Sequence, residues 1–329
     1  MKNPACVLAG DIGGTKTSLG LYVPGRTRPK ARVTATFPSA SAHSLEMIIA
    51  RMLARYPAKI KTACFGIAGP VINGVCRTTN LPWVVSERKL QKRFGWQQIR
   101  LLNDLSTTAL AIPLLSHREV KALNGARVRK DRNIGLVAPG TGLGQALLIF
   151  SEGRYLPVAS EGGHASYAPG DKAEGDLWHF LYARFGHVSV ERVLSGQGLV
   201  NIYDWQKSSG TFAESRVIRA AMQDSDPARV ITENAIKAND PLCKAALQRF
   251  CSIFGSVSGN LALTGMTTGG VYLGGGIPPK ILPALEKTDF MAAFSAKGRF
   301  EGFLKKIAVR VILNDKASLL GAAHYALGL

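Results

Sequence analysis

Apolar positions along this chain follow two periods. Continuous apolar runs bounded by glycine, "ACVLAG" and "TSLGLYV", read as buried strands on either side of a Gly-rich turn, and "KTACFGIAG" reads the same way. "RVTATF" predicts a further strand. In "AHSLEMIIARMLARY" the apolar residues fall at helical intervals, and "SERKLQKRF" predicts a short helix opened by Ser86. "IRLL" predicts a strand running into a helix in "NDLSTTALAIPLL". A charged stretch, "SHREVKALNGARVRKDRN", then separates this part from "IGLVAPGTGLGQALLIF". The remainder is mainly helical, in "EGDLWHFLYARFG", "PLCKAALQRFCSIFGSVSGNLAL" and "KASLLGAAHYALG", with one late strand in "GVYLGGG".

Two segments share a layout. "VLAGDIGGTKTSLGLYV" and "GLVAPGTGLGQALLIF" each run from an apolar strand through a turn dense in Gly and Thr into a second apolar strand, with Gly10 falling near Pro139. An internal repeat decides the fold class before any single motif does. This one predicts a duplicated α/β architecture with two Gly-rich hairpins suited to gripping a phosphate chain from two sides.

Composition narrows the class. A chain of 329 residues with 46% hydrophobic content is expected to form about two domains with real cores. No apolar run reaches the roughly 18 residues of a membrane helix. The start, "MKNPACVLAGD", lacks the apolar stretch and cleavage site of a secretory signal. Cys6, Cys64, Cys76, Cys243 and Cys251 have no CxxC spacing and read as free buried thiols, so a cytoplasmic location is expected. The 41 Lys and Arg residues against 22 Asp and Glu give a net charge of +19. A field of that sign attracts anions: nucleic acid, anionic lipid or phosphorylated ligands. The basic residues are dispersed through predicted strands and helices and form no tail, so they are read as solvated surface without a nucleic-acid partner.

Four stretches carry candidate chemistry. In "GDIGGTK" the backbone N–H groups of a Gly-rich turn can converge on phosphate oxygens, because no Cβ blocks the approach. Thr15 adds a hydroxyl, and Asp11 can hold Mg²⁺ through water, an ion that uses few carboxylates. The spacing matches neither a Walker A loop nor a Rossmann fingerprint; a plain tight hairpin would use the same glycines. "APGTGLG" makes the same offer at the second hairpin. The glycines of "LGGGI" let a backbone lie against a flat ring such as adenine, or simply turn a strand into a helix. In "LLNDLSTTAL", Asp104 falls where a strand becomes a helix. It reads either as an N-cap or as a general base for a hydroxyl, with Asn103 orienting the same substrate. "ASEGGHASYAP" and "GHVSVERVLSG" supply Glu161 with His164 and His187 with Glu191. These pairs are open to a metal, an acid/base or a polar-substrate reading.

Taken in order, "GDIGGTK", "GIAGPV…TTNLPW", "LLNDLSTTALAIPLL", "APGTGLG", "SEGGHASYAP", "GHVSVERVLSGQGLVNIY" and "GGVYLGGGIPP" resemble the bacterial glucokinase family of the hexokinase, Hsp70 and actin superfamily. The resemblance runs from about residue 5 to about residue 325, and the block from Ser160 to Tyr203 is its most specific part. It implies a duplicated actin-like ATPase (ribonuclease H-like) fold, with two domains around a cleft. The small domain would be residues 1–112 plus 315–329, and the large one 113–314. It implies ATP- and Mg²⁺-dependent phosphorylation of the 6-hydroxyl of D-glucose by a homodimer. By position, Asp104 would be the catalytic base, and Asn103, Glu161, His164 and Glu191 would hold the sugar hydroxyls. Gly10, Asp11, Ile12, Gly13, Gly14 and Thr15, with Gly140, Thr141 and Gly142, would line the phosphates, and Gly275 would lie near the adenosine. Sugar hydroxyls both donate and accept, so Glu161, His164 and Glu191 suit a sugar better than a metal. His187 is left outside the site.

Lys16 departs from this pattern, because many glucokinases carry Asn there and "DIGGTKT" is closer to the ROK family of sugar kinases and sugar-responsive repressors. ROK proteins usually carry closely spaced zinc cysteines after the "GGH" segment. This chain has no cysteine between Cys76 and Cys243, and no room for a helix-turn-helix before the first strand at Ala5. The rival expectations are a kinase of another hexose or hexosamine and a sugar-responsive regulator that binds nucleic acid. The residues alone do not choose between ATP, ADP and polyphosphate as donor.

Overall fold

The computed structural model describes residues 6–78, 81–238 and 240–329. Ala5, Thr79 and Asn80, which belong to stretches quoted above, lie outside the described residues. The chain divides into two compact units, residues 1–119, 155–159 and 314–329 in one, and 120–154 and 160–313 in the other.

The first unit is built on five strands, β1 (Cys6–Ile12), β2 (Lys16–Val23), β3 (Lys30–Pro38), β4 (Ile60–Ile67) and, after three short strands, β8 (Gln98–Asn103). Their order is β3-β2-β1-β4-β8. β1 pairs antiparallel with β2 and parallel with β4, and β4 pairs parallel with β8. The short strands β5 (Val71–Ile72), β6 (Val75–Arg77) and β7 (Val84–Ser86) form their own small antiparallel sheet. β1 is buried on both faces, and this is why its sequence is a continuous apolar run. Leu8 and Ile12 pack with Leu45, Ile48 and Ile49 of helix α1 (Leu45–Arg55) on one face. Val7 and Ala9 pack with Leu319, Ala322 and Ala323 of the C-terminal helix (Ala317–Leu327) on the other. Helix α2 (Glu87–Phe94) starts after Ser86, as expected, but Ser86 makes no side-chain cap; Gly95 closes the helix in the left-handed region, where glycine costs least.

The C-terminal helix lies close against α3 (Asp104–Ala111), and the Thr107 carbonyl occupies the place a Cβ would take at Gly321. Gly321→Ala is therefore expected to lower unfolding free energy by about 1–3 kcal/mol, the usual cost of overpacking. Urea denaturation measures it, and an unchanged midpoint would show that the two helices separate without cost.

The second sheet repeats the first. Its strands are β9 (Val120–Ala122), β10 (Ile134–Pro139), β11 (Leu143–Ser151), β12 (Arg154–Ser160), β13 (Gly270–Leu273) and β14 (Val309–Ile312), in the order β12-β11-β10-β13-β14-β9. β10 pairs antiparallel with β11 and parallel with β13, and β13 pairs parallel with β14. Both sheets thus carry the order 3-2-1-4-5 of the ribonuclease H-like fold, and its duplication is the actin-like ATPase fold. β9 adds one antiparallel edge strand inside the stretch expected to be only a connection. Helices α4 (Lys172–Phe185), α5 (Gly196–Ser208), α6 (Arg216–Asp224), α7 (Pro227–Glu233) and α8 (Pro241–Thr264) follow β12 in the chain. Leu247, Phe250 and Phe254 of α8 are fully or almost fully buried in the unit's core.

Candidate active site

The first hairpin closes where Ile12 pairs with Thr17, and the Gly13 N–H donates to the Lys16 carbonyl at 2.9 Å. Gly13, Gly14 and Thr15 form the turn itself. Gly10 stands back in β1, and the Phe65 ring fills the space its side chain would need. Ser39 is fully buried and holds the turn from behind. Its hydroxyl donates to the Gly13 carbonyl at 2.7 Å and lies 2.9 Å from the Thr17 hydroxyl, while its N–H donates to the Thr15 carbonyl at 2.9 Å. Nothing in "FPSASAHS" marks this residue out by sequence.

Asp11 lies at the end of β1 and accepts the Ser318 hydroxyl at 2.9 Å. The Thr107 hydroxyl donates to the Asp104 carbonyl at 2.8 Å and lies 2.8 Å from the Ser318 hydroxyl. This polar chain ties the C-terminal helix to both carboxylate positions. Gly66 makes room for it, because a side chain there would strike the Thr107 hydroxyl. Burial raises the Asp11 carboxyl to about 6, against the pull of the Ser318 hydroxyl and with the help of the Asp104 charge. An acid whose folded value lies above its ordinary 3.8 keeps its proton in the folded state while the unfolded chain has lost it. Its cost to stability is absent below about pH 4, grows through the window up to about 6, and is complete above it. Asp11→Asn should thus raise Tm at pH 7.5 in magnesium-free buffer, and the gain should vanish near pH 4. A Tm difference that does not change with pH would show that Asp11 carries no such burden.

Asp104 is the first residue of α3, at the carboxyl end of β8. The cap itself is Asn103, whose side-chain oxygen accepts the Leu105 N–H at 3.0 Å. The Asn103 amide also donates to the Gly69 carbonyl at 3.3 Å. Asp104 Oδ1 accepts the same Leu105 N–H at 3.0 Å. The N-cap reading of Asp104 therefore falls to its neighbour.

In the second unit the hairpin closes at Pro139 paired with Leu143, and the Gly140 N–H donates to the Gly142 carbonyl at 2.8 Å. The Gly196 N–H, at the start of α5, donates to the Gly140 carbonyl at 2.9 Å. Matched by their last paired residues, Pro139 corresponds to Ile12, two positions from the Gly10 suggested by the sequence pattern. Thr141 is exposed at the tip. Gly275 has φ of 82°, and a side chain there would approach the Pro139 carbonyl to 2.6 Å, so the glycine is required twice over.

Glu161, His164 and Glu191 come from two paired segments. The Val190 N–H donates to the Ala165 carbonyl at 2.9 Å, and the Tyr167 N–H to the Val188 carbonyl at 2.8 Å. Ser166 and Ser189 form a bridge between the same segments. Glu161 and His164 are exposed at either end of the Gly162–His164 turn, and Glu191 is half-buried. His187 Nε2 donates to the His164 carbonyl at 3.2 Å, so this residue supports the turn with its ring. Tyr167 donates its hydroxyl to buried Glu174 at 2.7 Å, which also accepts the Gly170 N–H at 2.8 Å, and Arg249 balances the charge.

Among the described residues, no three His, Cys, Asp or Glu side chains gather as ligands for a metal ion. Mg²⁺ needs no such cage, since it keeps most of its water and adds substrate phosphates. Asp11 fits it: the acid is oxygen-only, and burial beside a second acid raises it in a way a cation would relieve. All five cysteines are buried and free. Among the described residues, no helix is long and apolar enough to cross a membrane.

A ribonuclease H-like sheet in two copies, each with a Gly-rich hairpin at its centre, places the chain in the actin-like ATPase class. Within it the chain belongs to the glucokinase family, whose family model, Glucokinase, matches residues 8–328. A glucokinase from Synechocystis sp. is 36% identical over 341 residues, covering 96% of each chain. A glucokinase from Yersinia pestis is 34% identical over 318 residues, covering 97% of this chain and 95% of its own. The crystal structure of a glucokinase from an Antarctic psychrotroph superposes with a TM-score of 0.89 at 30% identity, over 99% of this chain and all of the other.

Proposed function

We propose that this protein transfers the γ-phosphoryl group of ATP to the 6-hydroxyl of D-glucose, with Asp104 as the base. The observation that supports the role of Asp104 is its place at the head of α3, at the carboxyl end of β8. Asp104 Oδ1 shares the Leu105 N–H with Asn103, and the carboxylate can accept the proton of the 6-hydroxyl as the oxygen attacks phosphorus. Glu161, His164 and Glu191 hold ring hydroxyls, carboxylates accepting from them and the imidazole donating or accepting. The N–H groups of the turns at Gly13–Thr15 and Gly140–Gly142 bind phosphate oxygens, and Gly275 leaves backbone room for the adenosine. Mg²⁺ would be held by Asp11 through water, and when bound it neutralises charge on the phosphates. Phosphoryl transfer asks little covalent chemistry of a protein, so positioning and charge supply most of the acceleration.

A coupled assay across sugars and donors tests the reading. Glucose with ATP should give the highest kcat/KM. A higher value for mannose or N-acetylglucosamine would move the assignment to another hexose or hexosamine, and dependence on ADP or polyphosphate would replace the donor. Tight duplex DNA binding at about 150 mM salt, beyond the range of non-specific binding, with no turnover of any sugar, would mark a regulator.

A further inference from the structure

Both segments read as sugar-binding rest on the first residues of β11. Glu191 Oε2 accepts the Leu143 N–H at 2.8 Å. The same oxygen fills the space beside Gly142, where a Cβ would lie 2.5 Å from it. The other side of the Leu143 peptide serves the other segment. Gly163 packs directly on the Leu143 carbonyl, which leaves no room for a side chain, and a Cβ at Gly162 would lie 2.6 Å from the Gln145 amide oxygen. One peptide group thus faces Glu191 with its N–H and the Gly162–His164 turn with its carbonyl.

Gly142 and Leu143 are also the end of the Gly140–Gly142 turn. We propose that this turn, read above as a phosphate cradle, is at the same time the platform that positions the sugar ligands. Gly142 and Leu143 set the Glu191 carboxylate, and Leu143 with Gln145 seats the turn between Glu161 and His164. Gly142 and Leu143 are positioning residues for a substrate they need not touch. The inference rests on the reading of Glu161, His164 and Glu191 as sugar ligands. Its physical content is a linkage: a turn that shifts to meet a phosphate carries the anchor of Glu191 with it, so nucleotide and sugar sense each other through one peptide. Thermodynamic coupling of that kind is reciprocal.

Gly142 allows a sharp test. It does not have the positive φ that penalises alanine, and the nearest atoms to a Cβ there all belong to Glu191. Gly142→Ala therefore displaces the carboxylate and little else. A Cβ at Gly140, in the same turn, meets nothing within 4 Å. Glucose binding is measured by calorimetry with no nucleotide and no magnesium present. Gly142→Ala should raise the glucose Kd by about tenfold or more, while Gly140→Ala stays within about twofold of wild type. A purely nucleotide-binding turn would leave both unchanged in that buffer. If Gly142→Ala binds glucose like wild type while Glu161→Ala and Glu191→Ala lose affinity, the platform role is overturned and the sugar site stands. If Glu161→Ala and Glu191→Ala also bind normally, the sugar-site reading itself is overturned. Hydrogen exchange in an otherwise unaltered turn decides the matter even if Gly142→Ala does not fold. Glu191→Ala should speed exchange of the Leu143 amide about tenfold by removing its acceptor, and unchanged exchange would contradict the platform.

Discussion

Asp104→Asn is expected to lower kcat by about 10²- to 10⁴-fold, the range general-base catalysis contributes, while the glucose Kd changes no more than a few-fold. The substitution is nearly isosteric. Its amide oxygen can still accept the Leu105 N–H, and Asn103 still caps α3. The fold and the Thr107–Ser318 chain behind it, which uses the Asp104 backbone carbonyl, should survive. Only the ability to take up a proton is gone. Turnover by coupled assay and binding by calorimetry separate the two effects. A folded Asn variant with near-normal kcat would remove Asp104 from the mechanism, and the proton would have to leave by another route.

Glu161→Ala should weaken glucose binding by about 1–3 kcal/mol, the cost of leaving polar groups without partners, or roughly 5- to 150-fold in Kd. The turn that Glu161 opens is closed by backbone, through the His164 N–H on the Glu161 carbonyl at 2.9 Å, so the alanine variant keeps its shape. ATP affinity measured without sugar should barely move. Stoichiometric zinc that is lost in Glu161→Ala or His164→Ala would instead revive the metal reading of these residues.

Most parts of the fold that were legible have side chains buried in a regular period, although β3, also expected, has no buried residue. β1, β2, β4, β10 and β11 stand out because central strands are apolar on both faces, and the repeat of their hairpins gave the duplication directly. The two-residue offset between Gly10 and its counterpart arose because Gly10 is a glycine for packing against Phe65 and does not belong to the turn. β14, a second late strand beside the one expected, is buried but spans only four residues; β9 and β12 were invisible for the opposite reason. β9 spans three residues, two of them exposed, and β12 is a mostly exposed edge strand interrupted by Pro157, which only an edge tolerates. β5, β6 and β7 are too short to show a period.

The candidate site divides in the same way. Asp11, Asp104, Glu161 and Glu191 were named as candidates from the sequence. The groups that hold them were not. Ser39 and Ser318 are ordinary hydroxyl residues, 22 or more positions from the residues they support, while Thr107 lies three positions from Asp104 and 211 from Ser318. The Leu143 N–H is backbone and has no sequence signature at all. Only tertiary placement turns them into supports.

The central claim is phosphoryl transfer from ATP to the 6-hydroxyl of glucose, and ³¹P NMR of the product tests it most directly. Purified protein incubated with ATP, magnesium and glucose should convert the nucleotide to ADP and yield glucose 6-phosphate as the single new phosphate ester. With 6-deoxyglucose in place of glucose no ester should form. A phosphate at any other position, an ester formed from 6-deoxyglucose, or no ester from glucose would contradict the account.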